Sequence, residues 1–227
     1  MNLVKSKVVL LPCREYDEEK IYMLLKQGLD FLGGVETLIP KDAKILLKPN
    51  LLKKAEVEKA VITHPVVVGA FAGILRESGY ENIVLADSCG HGTTQAVIRG
   101  TGMDTYLEKY HIPAVDYSEG VKTAYPQGVQ AKEFILPKEL LEQDCVISLS
   151  KMKTHALERI TGFSHFVKIK SSSINLSSNF RLESLARICC AFSISGMLFR
   201  IICSDSRYHS LSRLPFTSST PPLQTRA

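Results

Sequence analysis

Apolar residues along this chain fall into short unbroken runs that alternate with longer stretches of helical period. Lys7-Val-Val-Leu-Leu-Pro12 reads as a buried first strand. From Asp17 to Gly34, Ile21, Leu24, Leu25, Leu29 and Leu32 share one helical face, with Asp17 placed to cap the start and Gly33-Gly34 to end it. Residues 43–48 form a second strand that Pro49 stops, because proline cannot donate to a ladder. Thr63-His64-Pro65 opens another helix, with Thr63 as N-cap and Pro65 in the first turn. Val67, Ala70, Phe71, Ile74 and Leu75 supply its buried face, and Gly79 closes it. Asn82 to Ser88 is a strand ending in polar residues, and Gly90-His91-Gly92 turns into a helix over 93–110. Short strands follow at 113–117 and 130–136, and the last clear one spans 144–150.

Strands alternating with amphipathic helices predict an α/β fold, three-layered, with a mostly parallel sheet and helices on both faces. The 227 residues, 45% hydrophobic and 22% charged, suit a globular chain rather than a disordered one. No uncharged apolar run reaches the ~18 residues of a membrane span. The first apolar stretch is too short for a signal peptide. Six cysteines make no CxxC pair, which argues against a zinc ribbon, a ferredoxin cluster or a disulfide scaffold within this chain. The cytoplasm is the expected compartment. The net charge of +5 is unevenly spread. Residues 1–162 carry 20 basic against 21 acidic side chains and residues 163–227 carry 8 against 2, so two compositions are joined in one chain.

Ligands of open parallel sheets bind beyond the carboxyl ends of the strands. Three strands here end in concentrated polar chemistry: Lys48-Pro49-Asn50, Asp87-Ser88-Cys89-Gly90-His91-Gly92 and Lys151-Met152-Lys153-Thr154-His155. Thr63-His64 joins them at a helix start, where N–H groups are free. Any one lysine alone reads as a solvated charge, but Lys48, Lys151 and Lys153 together favour an anionic small molecule, phosphate or carboxylate. Asn50, Ser88 and Thr154 add oriented hydrogen bonds, and His64 or His155 transfers protons, because histidine titrates near neutrality. His64, Asp87, His91 and His155, with Cys89, are of metal-ligand type, but their spacing matches no compact motif, so no metal is expected. The Gly-His-Gly turn is neither a Walker loop nor GxGxxG, no GxSxG elbow is present, and no basic-aromatic stripe points to nucleic acid.

Four segments carry a resemblance: KILLKPNLL (44–52), VITHPVVVGAF (61–71), IVLADSCG (83–90) and SLSKMKTHALERITG (148–162). In this order, over roughly residues 5–168, they resemble the bacterial and archaeal family called domain of unknown function 362. The resemblance implies an α/β core and, by motif, makes Lys48, Asn50, Thr63, Asp87, Ser88, Lys151, Lys153 and Thr154 candidate ligand-binding residues, with His64 and His155 as candidate catalytic ones. It also implies that longer relatives carry a ferredoxin-like module with two [4Fe-4S] clusters, hence a redox partner, while no cofactor is expected on this chain. Cys89 stands where the family commonly has proline, and Ala86 where it has the first glycine of the turn.

After Thr161-Gly162 the family pattern continues with a Val-Lys-Asn step, whereas this chain reads Val167-Lys168-Ile169-Lys170. Loss of one A from GTA AAA AAT CAA A turns Val-Lys-Asn-Gln into Val-Lys-Ile-Lys. Together with the composition change this predicts a domain over 1–168, incomplete at its C-terminal side, and an out-of-frame or divergent tail of low order over 169–227. The reading is a fragment of an iron-sulfur-associated redox protein that binds an anion at its strand ends. The alternatives are a non-catalytic ligand-binding or electron-transfer accessory module, or a non-functional truncated product.

Overall fold

The computed structural model describes residues 7–117, 120–126, 132–155, 159–161, 186–192 and 199–204. Its elements begin with β1 (Lys7–Leu11), α1 (Glu18–Phe31), α2 (Val35–Leu38), β2 (Ile45–Pro49), a 3-10 turn (Val57–Lys59), α3 (Pro65–Glu77) and β3 (Ile83–Leu85). There follow α4 (Thr94–Arg99), α5 (Met103–Lys109), β4 (Gly120–Ala124), β5 (Glu133–Pro137) and α6 (Lys138–Leu141). The last are β6 (Cys145–Lys151), β7 (Lys153–His155), β8 (Arg159–Thr161), β9 (Ala186–Phe192) and β10 (Phe199–Ser204).

A six-stranded sheet runs in the order β1-β10-β9-β6-β2-β3. The pairs β9-β6, β6-β2 and β2-β3 are parallel, and β10 is antiparallel to both neighbours. β1 therefore points the same way as β6, β2 and β3, and its carboxyl end lies at the same sheet edge as theirs. The fold is α/β with a mostly parallel sheet, as the alternation of elements predicts. Within 169–227 the described residues are β9 and β10; the remainder of that stretch lies outside the described residues.

β2 and β6 are buried at every position, which is why both read as unbroken apolar runs. On one face, Ile45, Leu47, Ile83, Leu85, Cys145, Ile147 and Leu149 pack against α1 and α3. α3 is buried from Pro65 through Leu75, because the sheet, α1 and α5 enclose it. Gly69 and Gly73 let it approach α5: a Cβ on Gly69 would run into the Tyr106 ring, and one on Gly73 would meet the Tyr110 hydroxyl at 2.9 Å. On the opposite face Leu46, Ala86 and Val146 cluster with Leu140 of α6, and Val84, Val115 and Tyr117 pack alongside.

Several expectations change. The first strand is not fully buried: Val8 and Leu10 are 41% and 50% exposed, since β1 is an edge strand covered on one face. The helix expected over 93–110 is two, α4 and α5, parted at Gly100-Thr101-Gly102. Thr101 Oγ1 donates to the Val97 and Ile98 carbonyls, and Gly102 takes φ +73°. Residues 113–117 give only one bridge, Ala114 to Leu85. The strand near 130–136 is Glu133–Pro137, which pairs with β4 in a separate two-stranded sheet. The N-cap of α3 is His64 rather than Thr63.

Candidate functional site

β6, β2 and β3 are neighbours, so the polar residues after their last apolar positions come together at one edge. Lys48 Nζ donates to Asp87 Oδ1 at 2.7 Å in a pair whose side chains are only 7% and 8% exposed. The second carboxylate oxygen accepts from the Leu51 N–H at 2.7 Å, and the Asp87 carbonyl accepts from Thr94 Oγ1 at 3.2 Å. Asp87 thus neutralises Lys48 and fixes the loop after β2. Thr63 ties the neighbouring segments: its Oγ1 donates to the Leu149 carbonyl at 2.6 Å and accepts from the Asn50 N–H at 2.8 Å. Asn50 Nδ2 and Lys153 Nζ both donate to the Val61 carbonyl, at 3.0 and 2.8 Å. Ser88 is half-buried beside Asp87.

His64 caps α3 through Nδ1, which accepts from the Val66 N–H at 3.2 Å. An accepting Nδ1 carries no proton, so the neutral ring is protonated at Nε2. Burial, and next the Lys151 charge, push the His64 pKa down to about 4, against an opposing pull from Glu58. That departs from the near-neutral titration expected of it and leaves the ring neutral at pH 7.

Tyr16, in the loop between β1 and α1, was not picked out by any motif. Its ring stacks on His64 with centroids 3.8 Å apart and planes 10° apart. Its hydroxyl accepts from Lys151 Nζ at 2.8 Å. Nζ lies 5.4 Å from the ring centroid, about the reach of the phenol plus that hydrogen bond, so the contact runs through the hydroxyl rather than the ring face. Burial pushes the Tyr16 phenol up to about 12, which keeps it protonated. Because β1 is parallel to β6, the strand-end rule applied to β1 leads to this loop; that is the signal by which Tyr16 is found.

Lys151 is 4% exposed. Among the described residues no carboxylate lies within ion-pairing distance of it, and burial lowers its pKa. Lys153 is lowered by burial as well and further by Lys151, with Asp87 pulling the other way. Burial pushes the Cys89 thiol up to about 11, and it sits 3.9 Å from Thr94 Oγ1. Thr154 and His155 belong to β7, and their side chains lie outside the described residues. An open cavity of about 610 Å³ runs along Pro12 to Glu15 and the first turns of α1 and touches none of the strand-end lysines.

Among the described residues no three His, Cys, Asp or Glu side chains gather as metal ligands. Cys13 and Cys89 are half-buried in loops and Cys145 is buried within β6. No described helix is long and apolar enough to cross a membrane.

The chain is 32% identical over 155 residues to the thylakoid-associated protein sll1697 of Synechocystis sp. (strain ATCC 27184 / PCC 6803 / Kazusa), a match covering 68% of this chain. It spans 47% of the length of that relative. No solved structure matches the chain. The family model for the domain of unknown function (DUF362) matches residues 45–164, the segment holding β2, α3, β3 and β6 with their polar ends, and the chain belongs to that family.

Proposed function

We propose that the carboxyl edge of β2, β3 and β6 binds a small anion, phosphate or carboxylate. Lys151 carries this reading: it is buried at 4% exposure with a neutral phenol as its hydrogen-bond partner and, among the described residues, no carboxylate in ion-pairing range. An ammonium so placed costs solvation energy that a bound anion recovers. Lys153 adds positive charge, Asn50 and Thr63 hold the loops, and Ser88 and Thr154 are further donors. Asp87 positions Lys48. His155 is the residue proposed for proton transfer, since His64 spends Nδ1 on the helix cap and offers Nε2–H as a donor.

The same proposal includes a cytoplasmic setting and an external redox partner of iron-sulfur type, the [4Fe-4S] clusters being those implied for longer relatives; no step here runs through a cluster. The capped, neutral His64 favours a second reading, a ligand-binding module without turnover. Titration calorimetry with inorganic phosphate and with acetate tests the site. Binding by the wild-type chain that weakens at least tenfold in Lys153→Ala supports it. Heats no different from buffer dilution, or equal affinity in the variant, overturn it.

A further inference from the structure

We propose that Lys151 is a carbonyl-directed nucleophile, forming an imine with a small aldehyde or ketone that carries an anionic group. The anionic group is taken by the neighbouring lysines, so this part rests on the anion-binding reading above. Three observations set Lys151 apart. It ends the central strand β6, which pairs with β2 as far as Leu149 and with β9 through Lys151 itself, so its backbone is anchored at the sheet edge. It is desolvated, and the cationic Lys153 lies two residues on and within electrostatic reach. Burial together with a neighbouring cation makes the ammonium easier to deprotonate, so the amine that attacks is reached readily from the charged resting form. Finally, its hydrogen-bond partner is the Tyr16 hydroxyl at 2.8 Å, and that ring is locked by its stack on His64.

The step balances without any co-reactant. The Lys151 amine adds to the carbonyl carbon, and one of its two protons passes to the carbonyl oxygen to give a carbinolamine. The carbinolamine hydroxyl leaves as water with a proton delivered by the Tyr16 phenol, and the second nitrogen proton, lost from the resulting iminium, restores the phenol. The sum is amine plus carbonyl to imine plus water. Tyr16 is the general acid of this step, and both it and the His64 ring stacked on it are half-buried.

The test is reductive trapping of the full chain with cyanoborohydride and either glyoxylate, which carries a carboxylate, or glycolaldehyde, which is neutral. Peptide mapping then locates the adduct. Glyoxylate should modify Lys151 at least tenfold faster than exposed Lys26 and Lys41, and phosphate should slow it. Tyr16→Phe, which keeps the stack and removes the hydroxyl, should lower the Lys151 rate several-fold while leaving Lys26 unchanged. Lys151→Arg should remove the adduct. Equal labelling by glycolaldehyde, unaffected by phosphate, keeps the nucleophile and overturns the anion site. Phosphate binding in calorimetry with Lys151 labelled no faster than Lys26 overturns the nucleophile and keeps the anion site. Because the wild-type map decides between these outcomes, misfolding of a variant does not obscure the answer.

Discussion

Lys48 and Asp87 bind each other at 2.7 Å across the ends of adjacent strands, almost wholly out of water. Asp87 also holds the Leu51 N–H, so one carboxylate closes a charge pair and anchors the chain leaving β2. Removing one partner of a buried pair is far more damaging than replacing both, because the remaining charge keeps its desolvation cost. Asp87→Ala is therefore expected to lose about 3–5 kcal/mol of stability. The double variant Lys48→Met with Asp87→Leu should recover most of that loss. Urea unfolding of the wild type, both singles and the double gives the coupling energy; additive losses would show that the pair does not act as a unit.

Thr63 is the second tie across this edge, and it does a different job from the one its position suggests. Ahead of Pro65 it reads as a helix cap, yet the cap is His64, and the Thr63 hydroxyl instead links the Leu149 carbonyl to the Asn50 N–H. Thr63→Val keeps shape and strands both groups in a buried site, at about 1–3 kcal/mol for each unsatisfied group. Thr63→Ser retains the hydroxyl and should cost much less. A melting-temperature drop in Thr63→Val no larger than that in Thr63→Ser would mean that the two hydrogen bonds of the hydroxyl do not make the tie.

The central strands and the α3 segment were legible because burial on both sides leaves a sequence mark: Ile45 to Leu47 and Cys145 to Leu149 have almost no polar interruption. The strand-end set was legible for a topological reason, since consecutive parallel strands bring Lys48, Asp87 and Lys151 to one edge whatever the loops do. Tyr16 left no such mark. It sits in the polar run Arg14-Glu15-Tyr16-Asp17 with no periodicity, and its partners lie 48 and 135 positions away in the chain. The split between α4 and α5 was equally hidden, because Gly102 at positive φ shows its role only once the backbone is known. The isolated β4-β5 pair has strand-like composition, and composition does not say which sheet a strand joins.

The two glycines of α3 were also silent in the sequence, where glycine inside a helix merely lowers its propensity. Their use is the close approach of α5. Gly69→Ala gains helix propensity of about 1 kcal/mol in principle, but its Cβ collides with the Tyr106 ring. Overpacking of this kind costs about 1–3 kcal/mol, so the net change should be destabilising. Gly69→Ala combined with Tyr106→Ala should restore part of the loss. Chemical denaturation settles the sign, and a stabilised single variant would contradict the packing described here.

His64 makes stability depend on acid in a defined window. Its folded pKa of about 4 lies below the 6.5 of an unperturbed imidazole, chiefly through burial and then through Lys151. The unfolded chain takes up a proton as pH falls through 6.5, while the folded chain resists until about 4. The stabilisation is thus fully present above pH 6.5 and lost progressively down to about 4. His64→Asn keeps a side-chain acceptor for the Val66 N–H, asparagine being a strong N-cap, and removes the titration. Between pH 7 and 5 the variant should lose less melting temperature than the wild type. Lys151→Met removes the second cause of the shift and should move the His64 resonance midpoint upward in an NMR titration. An unchanged midpoint would mean that burial alone sets it and that the Lys151 charge does not reach the ring.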